Sequence, residues 1–206
     1  MKPLQVQFLF DFGSPNAYLC HKVLPGIESR TGVRFVYTPI LLGGLFKLSN
    51  NRSPAEAYAD IPNKRAYDQL EMQRFIAKRQ LTRFRFNPHF PVNTLKIMRL
   101  AVAAQELGCG PETVDAMSAA MWEQGRNMDD PGEIAVALRE AELDGPALLA
   151  KAQEPEVMAR LAANTQSAFE RGAFGSPSFF VGDQLFFGKD RLIEVEEEIV
   201  KQKSAA

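Results

Sequence analysis

The stretch Phe10-Asp11-Phe12-Gly13-Ser14-Pro15-Asn16-Ala17-Tyr18-Leu19 decides how the chain is read. Upstream of it, residues 4–12 place Leu4, Val6, Phe8, Phe10 and Phe12 on one side of an extended backbone, the period-2 pattern of a strand with an aromatic inner face. Gly13-Ser14-Pro15 then changes the geometry. Ser14 is a good N-cap, and Pro15 at the first helical position brings a preset φ and no N–H to leave unpaired. Downstream, Tyr18, Val23, Leu24 and Ile27 share a helical face as far as about Arg30. Gly32 stops that helix, and residues 33–40 read as a second strand. Strand–helix–strand asks for a parallel pair joined by a right-handed crossover.

Residues 54–172 differ in character. They are rich in Ala, Glu, Leu, Met and Arg, with helical segments near 63–80, 93–107, 111–124, 131–142, 145–151 and 155–171. Pro91, Pro111, Pro131, Pro146 and Pro155 punctuate them. The tail returns to strands: residues 178–181 and 184–187 flank Gly182-Asp183, a two-residue hairpin turn signal. A last helix follows from about residue 191 to 201, with Leu192, Val195 and Ile199 facing inward. The two ends of the chain therefore combine into one four-stranded α/β sheet, and the helical block is inserted within it.

Composition narrows the function. Of 206 residues, 46% are hydrophobic, enough for a real core, so a disordered or collagen-like chain is excluded. With 24 Lys+Arg against 25 Asp+Glu the net charge is −1, which gives no global electrostatic case for nucleic acid or a membrane surface as partner. No run approaches the ~18 apolar residues of a membrane span. Gln5, Gln7 and Asp11 break up the apolar N-terminus, so no signal peptide is expected and the cytoplasm is the expected location. Cys20 and Cys109 are too far apart in sequence to form a Cys-x-x-Cys redox pair or a disulfide framework. A zinc site would need both cysteines and the scattered His21 and His89 to converge, so no metal is expected.

Ser14 is the residue that can carry chemistry. A hydroxyl at a helix start, just past a strand end, sits where free N–H groups and the positive end of the helix dipole favour an anion. Read more plainly, it is only an N-cap. As a hydrolytic nucleophile it is poorly served: His21 is displaced roughly 10 Å along the same helix, His89 in its Pro-bracketed loop remains as a base but nothing in the sequence points it at Ser14, and the flanks are not Gly-x-Ser-x-Gly. A donor role toward a thiolate fits better, because an O–H and a helix dipole together lower a thiol pKa. Neither cysteine lies at this helix start, so that thiol has to come from a bound small molecule.

In its order of elements the chain resembles the thioredoxin-like architecture, with Ser14-Pro15-Asn16-Ala17 where redox members have Cys-x-x-Cys. More specifically it resembles 2-hydroxychromene-2-carboxylate isomerases and the kappa-class glutathione transferases. The matching segments are Asp-Phe-Gly-Ser-Pro-Asn-Ala-Tyr-Leu at 11–19, Leu-Leu-Gly-Gly-Leu-Phe-Lys at 41–47, Asn50-Asn51-Arg52, Pro62-Asn63-Lys64, Gly-Ala-Phe-Gly-Ser-Pro-Ser at 172–178 and Phe-Phe-Gly-Lys-Asp-Arg-Leu at 186–192. They run in order along nearly the whole chain. The resemblance implies a thioredoxin-like unit of residues 1–53 and 173–206 around a helical insertion of residues 54–172. It also implies glutathione as the thiol cofactor, a small aromatic carboxylate as substrate, and a homodimer.

Residue by residue, the resemblance sets Ser14 against the sulfur. It makes Ser176-Pro177 a cis-proline turn whose main chain pairs with the cysteinyl part of glutathione. Lys189, Asp190 and Arg191 would take the glutamyl carboxylate and ammonium, although a charged helix start explains them equally well. Asn51 and Lys64 match positions that touch the tripeptide, while Lys64 by itself reads as a surface lysine. Asn93 is a candidate substrate contact, and Asn93 or Thr94 is equally a helix cap. The basic run Arg74, Lys78, Arg79, Arg83, Arg85 reads as an anion patch or as a solvated helix face, and Trp122 as core.

Overall fold

A computed structural model describes residues 4–205, so residues 1–3 and 206 of the expected outer unit lie outside the described residues. Strand β1 (Val6–Phe10), helix α1 (Pro15–Thr31) and strand β2 (Phe35–Pro39) come first. Helices α2 (Leu42–Leu48), α3 (Pro54–Ala57), α4 (Pro62–Arg79), α5 (Leu95–Glu106), α6 (Gly110–Trp122), α7 (Pro131–Glu140), α8 (Gly145–Lys151) and α9 (Pro155–Glu170) follow. The hairpin β3 (Ser178–Val181) and β4 (Gln184–Phe187), a 3₁₀ turn at Lys189–Arg191 and helix α10 (Leu192–Ser204) complete the chain. The sheet order is β2-β1-β3-β4; β1 runs parallel to β2, while β1 with β3 and β3 with β4 are antiparallel. The fold is thioredoxin-like α/β, a four-stranded sheet with a large helical insertion.

Strand β1 sits at the centre of the molecule, and its sequence shows why. Phe8 is paired in register with Tyr37 on one side and Phe179 on the other, with ring centroids 5.0 and 5.2 Å away. On this face the aromatic residues join α1, α5, α6 and α10 in one continuous apolar cluster. Leu9 points the other way, into a second cluster with Ile40, Leu45, Ala168 and Phe180. A central strand covered on both faces need not alternate polar with apolar, so the one-sided strand expected from the pattern is corrected to a two-sided one. It is also shorter than expected, because the Ser14 N–H turns back to the Asp11 carbonyl at 3.0 Å and Phe12 leaves the ladder. Phe12 nonetheless stays buried.

Two helices lie where the pattern announced none. Gly43 and Gly44 sit inside α2, each costing about 1 kcal/mol of helix propensity relative to Ala. What starts that helix is tertiary: the Leu42 N–H donates to the buried Asp11 Oδ2 at 2.7 Å. The four-residue α3 is set by a capping box between Ser53 and Glu56. No helix among the described residues is long and apolar enough to cross a membrane.

Candidate functional site

The site begins at the head of α1. Ser14 is the N-cap: its Oγ accepts the Ala17 N–H at 3.2 Å, and Pro15 opens the helix. The same hydroxyl donates to the Ser176 carbonyl at 2.9 Å, across 162 residues of sequence. The Asp11 N–H in turn donates to Ser176 Oγ at 3.2 Å. The Ser176-Pro177 peptide bond is cis. The helix start and the proline turn therefore face one another, with a serine at the helix end. Cys20 is fully buried one and a half turns further on, and its burial pushes the thiol well above its ordinary range.

Asp11 is the buried post beneath this corner, and the pattern gave it no role. Its Oδ1 accepts the Gly13 N–H at 2.8 Å and the Thr94 hydroxyl at 2.7 Å, while Oδ2 accepts the Leu42 N–H. Burial raises its pKa, opposed by these three hydrogen bonds. One carboxylate thus ties together the turn before α1, the start of α2 and the start of α5. Gly13 fits tightly over it: an added Cβ would meet Thr94 Cγ2 at 3.2 Å and Asp11 Oδ1 at 3.3 Å.

The other expected residues divide into two groups. Asn51 donates from Nδ2 to the Phe174 carbonyl at 2.9 Å, which holds the loop after α2 against the proline turn. On the far side of that turn, the Gly188 N–H donates to the Pro177 carbonyl at 2.9 Å, which brings Lys189 and Asp190 alongside. The Lys189 side chain is buried, with its ammonium 2.5 Å from Asp190 Oδ1 and 5.2 Å from the centre of the Phe75 ring. Hydrogen bonds thus tie Ser14, Asn51 and the segment just before Lys189 and Asp190 to the one proline turn, the centre of the candidate surface.

Lys64 is not drawn into that surface by any contact among the described residues. It is exposed on the first turn of α4, 3.1 Å from Asp68 and over the Tyr58 ring at 5.1 Å. Arg191 is exposed and paired with Glu194. Asn93 is exposed too, and its Oδ1 accepts the Leu95 N–H at 3.2 Å, so it caps α5 while the Thr94 hydroxyl is spent on Asp11. Trp122 is core, fully buried, with Nε1 donating to the Phe12 carbonyl at 2.8 Å. The basic run is split by the fold: Arg83 pairs with Glu123, whereas Arg74, Lys78 and Arg79 line a cleft facing Lys189 and Asp190. Asn16 was not anticipated at all; its Oδ1 is buried in the first turn of α1 without a hydrogen-bond partner among the described residues.

Comparison with known proteins agrees with this architecture. A 2-hydroxychromene-2-carboxylate isomerase of Sphingobium xenophagum is 27% identical over 195 residues, covering 95% of this chain and 97% of that one. Glutathione S-transferase kappa 1 of Rattus norvegicus is 28% identical over 207 residues, covering 92% and 88%. The crystal structure of a 2-hydroxychromene-2-carboxylate isomerase superposes with a TM-score of 0.82 at 24% identity, over 96% of this chain and 95% of that one. Residues 5–200 match the DSBA-like thioredoxin domain, and with that match over nearly its whole length the chain belongs to the DSBA-like thioredoxin family.

Proposed function

We propose that the protein is a glutathione-dependent isomerase that converts a 2-hydroxychromene-2-carboxylate into the trans-o-hydroxybenzylidenepyruvate. The observation behind this reading is the Ser14 hydroxyl, held at the head of α1 against the Ser176 carbonyl with no cysteine of the chain beside it. A hydroxyl there can turn from the carbonyl to an incoming thiolate while its oxygen keeps the Ala17 N–H. Curated relatives named as this isomerase, matched over most of both chains, supply the reaction class.

In the proposed reaction the hemiketal ring opens to an unsaturated α-keto acid, whose conjugated double bond must become single for rotation. Glutathione, when bound, would supply a thiolate for reversible addition and elimination at that conjugated carbon, with no electrons gained or lost overall. Ser14 would hold the sulfur through its hydroxyl at the head of α1. The residues contribute acidification of the thiol and orientation. By resemblance to the same relatives, the working protein is proposed to be a cytoplasmic homodimer.

The Ser14→Ala substitution tests the assignment. A hydrogen bond to a charged group is worth about 1.5–3 kcal/mol, so the bound thiol should ionise about one to two pH units higher. Thiolate absorbance of bound glutathione against pH reads this directly, and isomerase turnover should fall at least tenfold in parallel. Unchanged ionisation and turnover would refute the role. Rapid conjugation of an aryl halide or reduction of a hydroperoxide, with no isomerisation, would instead favour the transferase activity of the kappa-class relative. Glutathione binding with no turnover of any of these substrates would leave a non-catalytic binding module.

A further inference from the structure

The side chain of Ser176 has no part in the reading above. Its Oγ accepts the Asp11 N–H at 3.2 Å. That donor lies one residue past the end of β1, where the ladder with β3 has stopped, so an acceptor from the proline turn meets a plain structural need. A hydroxyl has one proton to donate as well as lone pairs to offer. Here the proton is unspent: among the described residues the Ser176 O–H donates to no acceptor.

One residue orients both hydroxyls of the corner. The Asp11 carbonyl accepts the Ser14 N–H at 3.0 Å, the Asp11 N–H fixes Ser176 Oγ, and Ser14 Oγ closes the ring by donating to the Ser176 carbonyl at 2.9 Å. Asp11 is buried, and its carboxylate is anchored by Gly13, Leu42 and Thr94. The turn is braced from its other side too. The Ser178 hydroxyl donates to the Gly175 carbonyl at 2.8 Å, and the Phe187 ring packs so closely that a Cβ on Gly175 would meet it at 2.7 Å.

The two hydroxyls differ in what donation costs them. Ser14 gives up its bond to the Ser176 carbonyl to reach a ligand. The Ser176 proton needs only to swing about its Cβ–Oγ bond, while the oxygen keeps the Asp11 N–H. As a brace alone, half-buried Ser176 would spend that proton on water. Its position argues for more: the free O–H belongs to the residue whose carbonyl Ser14 holds, so an anion that draws the Ser14 hydroxyl away arrives beside it.

We propose that the Ser176 hydroxyl is a second donor to the sulfur of the bound tripeptide, which is then held from α1 by Ser14 and from the proline turn by Ser176. The proposal rests on the glutathione reading. Each hydrogen bond to the charged form of an acid favours that form, so a thiolate gripped by two preorganised hydroxyls is steadier than one gripped by one.

Absorbance of bound thiolate against pH tests it in Ser176→Ala, Ser176→Val and Ser176→Thr. Loss of the hydroxyl in Ser176→Ala or Ser176→Val should raise the ionisation of bound glutathione by about one pH unit, a roughly tenfold loss of acidity. Ser176→Thr should return it to that of the unaltered protein. Val and Thr are both β-branched and differ in the hydroxyl, so this pair serves if Ser176→Ala, which leaves an empty space beside Asp11, is unstable. Ser14→Ala combined with a hydroxyl-free Ser176 variant should shift the ionisation further than either change alone. If a hydroxyl-free variant binds glutathione with its ionisation unmoved, or Ser176→Thr leaves the shift in place, Ser176 is only a brace for Asp11 and the proposal is overturned; a shift in Ser14→Ala would leave the glutathione reading standing. If the unaltered protein binds no glutathione at all, that reading falls and takes this proposal with it.

Discussion

Asp11 is the residue on which the corner turns, and its pH behaviour follows from its burial. The folded protein holds its carboxyl at a raised pKa, with desolvation the largest cause, so the folded state keeps this proton to higher pH than the unfolded chain does. The contribution is complete below the unfolded carboxyl value of about 3.9 and is lost as pH rises through the folded one. Urea unfolding of the protein and of its Asp11→Asn variant should therefore show a stability gap that narrows with rising pH over that window. A gap that widens instead would mean that the three hydrogen bonds outweigh desolvation. The variant itself should cost about 1–3 kcal/mol, because an amide turns a donor toward one of the N–H or O–H groups that Asp11 accepts. None of this could be read in the sequence: Thr94 is 83 residues away and Leu42 is 31. The capping role of Ser14, by contrast, was legible, because N-cap and proline are neighbours and need no tertiary information.

Elements were legible in proportion to how local their causes are. The hairpin strands β3 and β4 fall on the residues the Gly182-Asp183 turn announced, since a two-residue turn fixes both ends. Helices α4 to α9 are legible in their periodicity, helped in α6, α7, α8 and α9 by a proline in the first turn. Helix α2 was not, because its glycines argue against it and its start depends on Asp11. The cleft was hidden for the same reason: Lys78 and Arg79 look like a solvated face until Lys189, more than a hundred residues on, is laid against them. Between elements, α1 and α6 are joined by polar contacts as well as apolar ones. His21 bonds Tyr37 through Nδ1 and Asp115 through Nε2, each at 2.8 Å, and Lys22 reaches the same carboxylate at 3.3 Å. The hydrogen bond from His21 lowers the pKa of Asp115. That stabilisation is present above the unfolded carboxyl value and disappears as pH falls through the depressed one. Because the Asp115 side chain is 64% exposed, Asp115→Asn should cost no more than about 1 kcal/mol at pH 7 and nothing in strong acid. Denaturation midpoints at the two pH values check it.

Across the whole molecule, one side chain fastens the inserted helices to the end of the first strand. Trp122 is fully buried, donates to the Phe12 carbonyl, and stacks on Phe84 with centroids 5.9 Å apart. Trp122→Ala should cost about 3–5 kcal/mol, lowering the thermal midpoint by about 10 °C for a chain of this size. Trp122→Phe keeps most of the packing but orphans the carbonyl, so it should fall in between. Calorimetry distinguishes the two. Topology has a further consequence for how the protein is made. Strand β1 pairs early with β2, but its antiparallel neighbour β3 begins only at Ser178, about 140 residues after β2 ends at Pro39. At ribosomal speeds of about 5–20 residues per second, that interval lasts roughly seven to thirty seconds. Throughout it, the nascent chain presents an aromatic-rich strand with one open edge, an invitation to pair with a neighbour on the same polysome. The serine, the proline turn and the basic cleft meet only when about the last seventh of the polypeptide emerges, so chains released prematurely hold Ser14 without the turn that its hydroxyl faces.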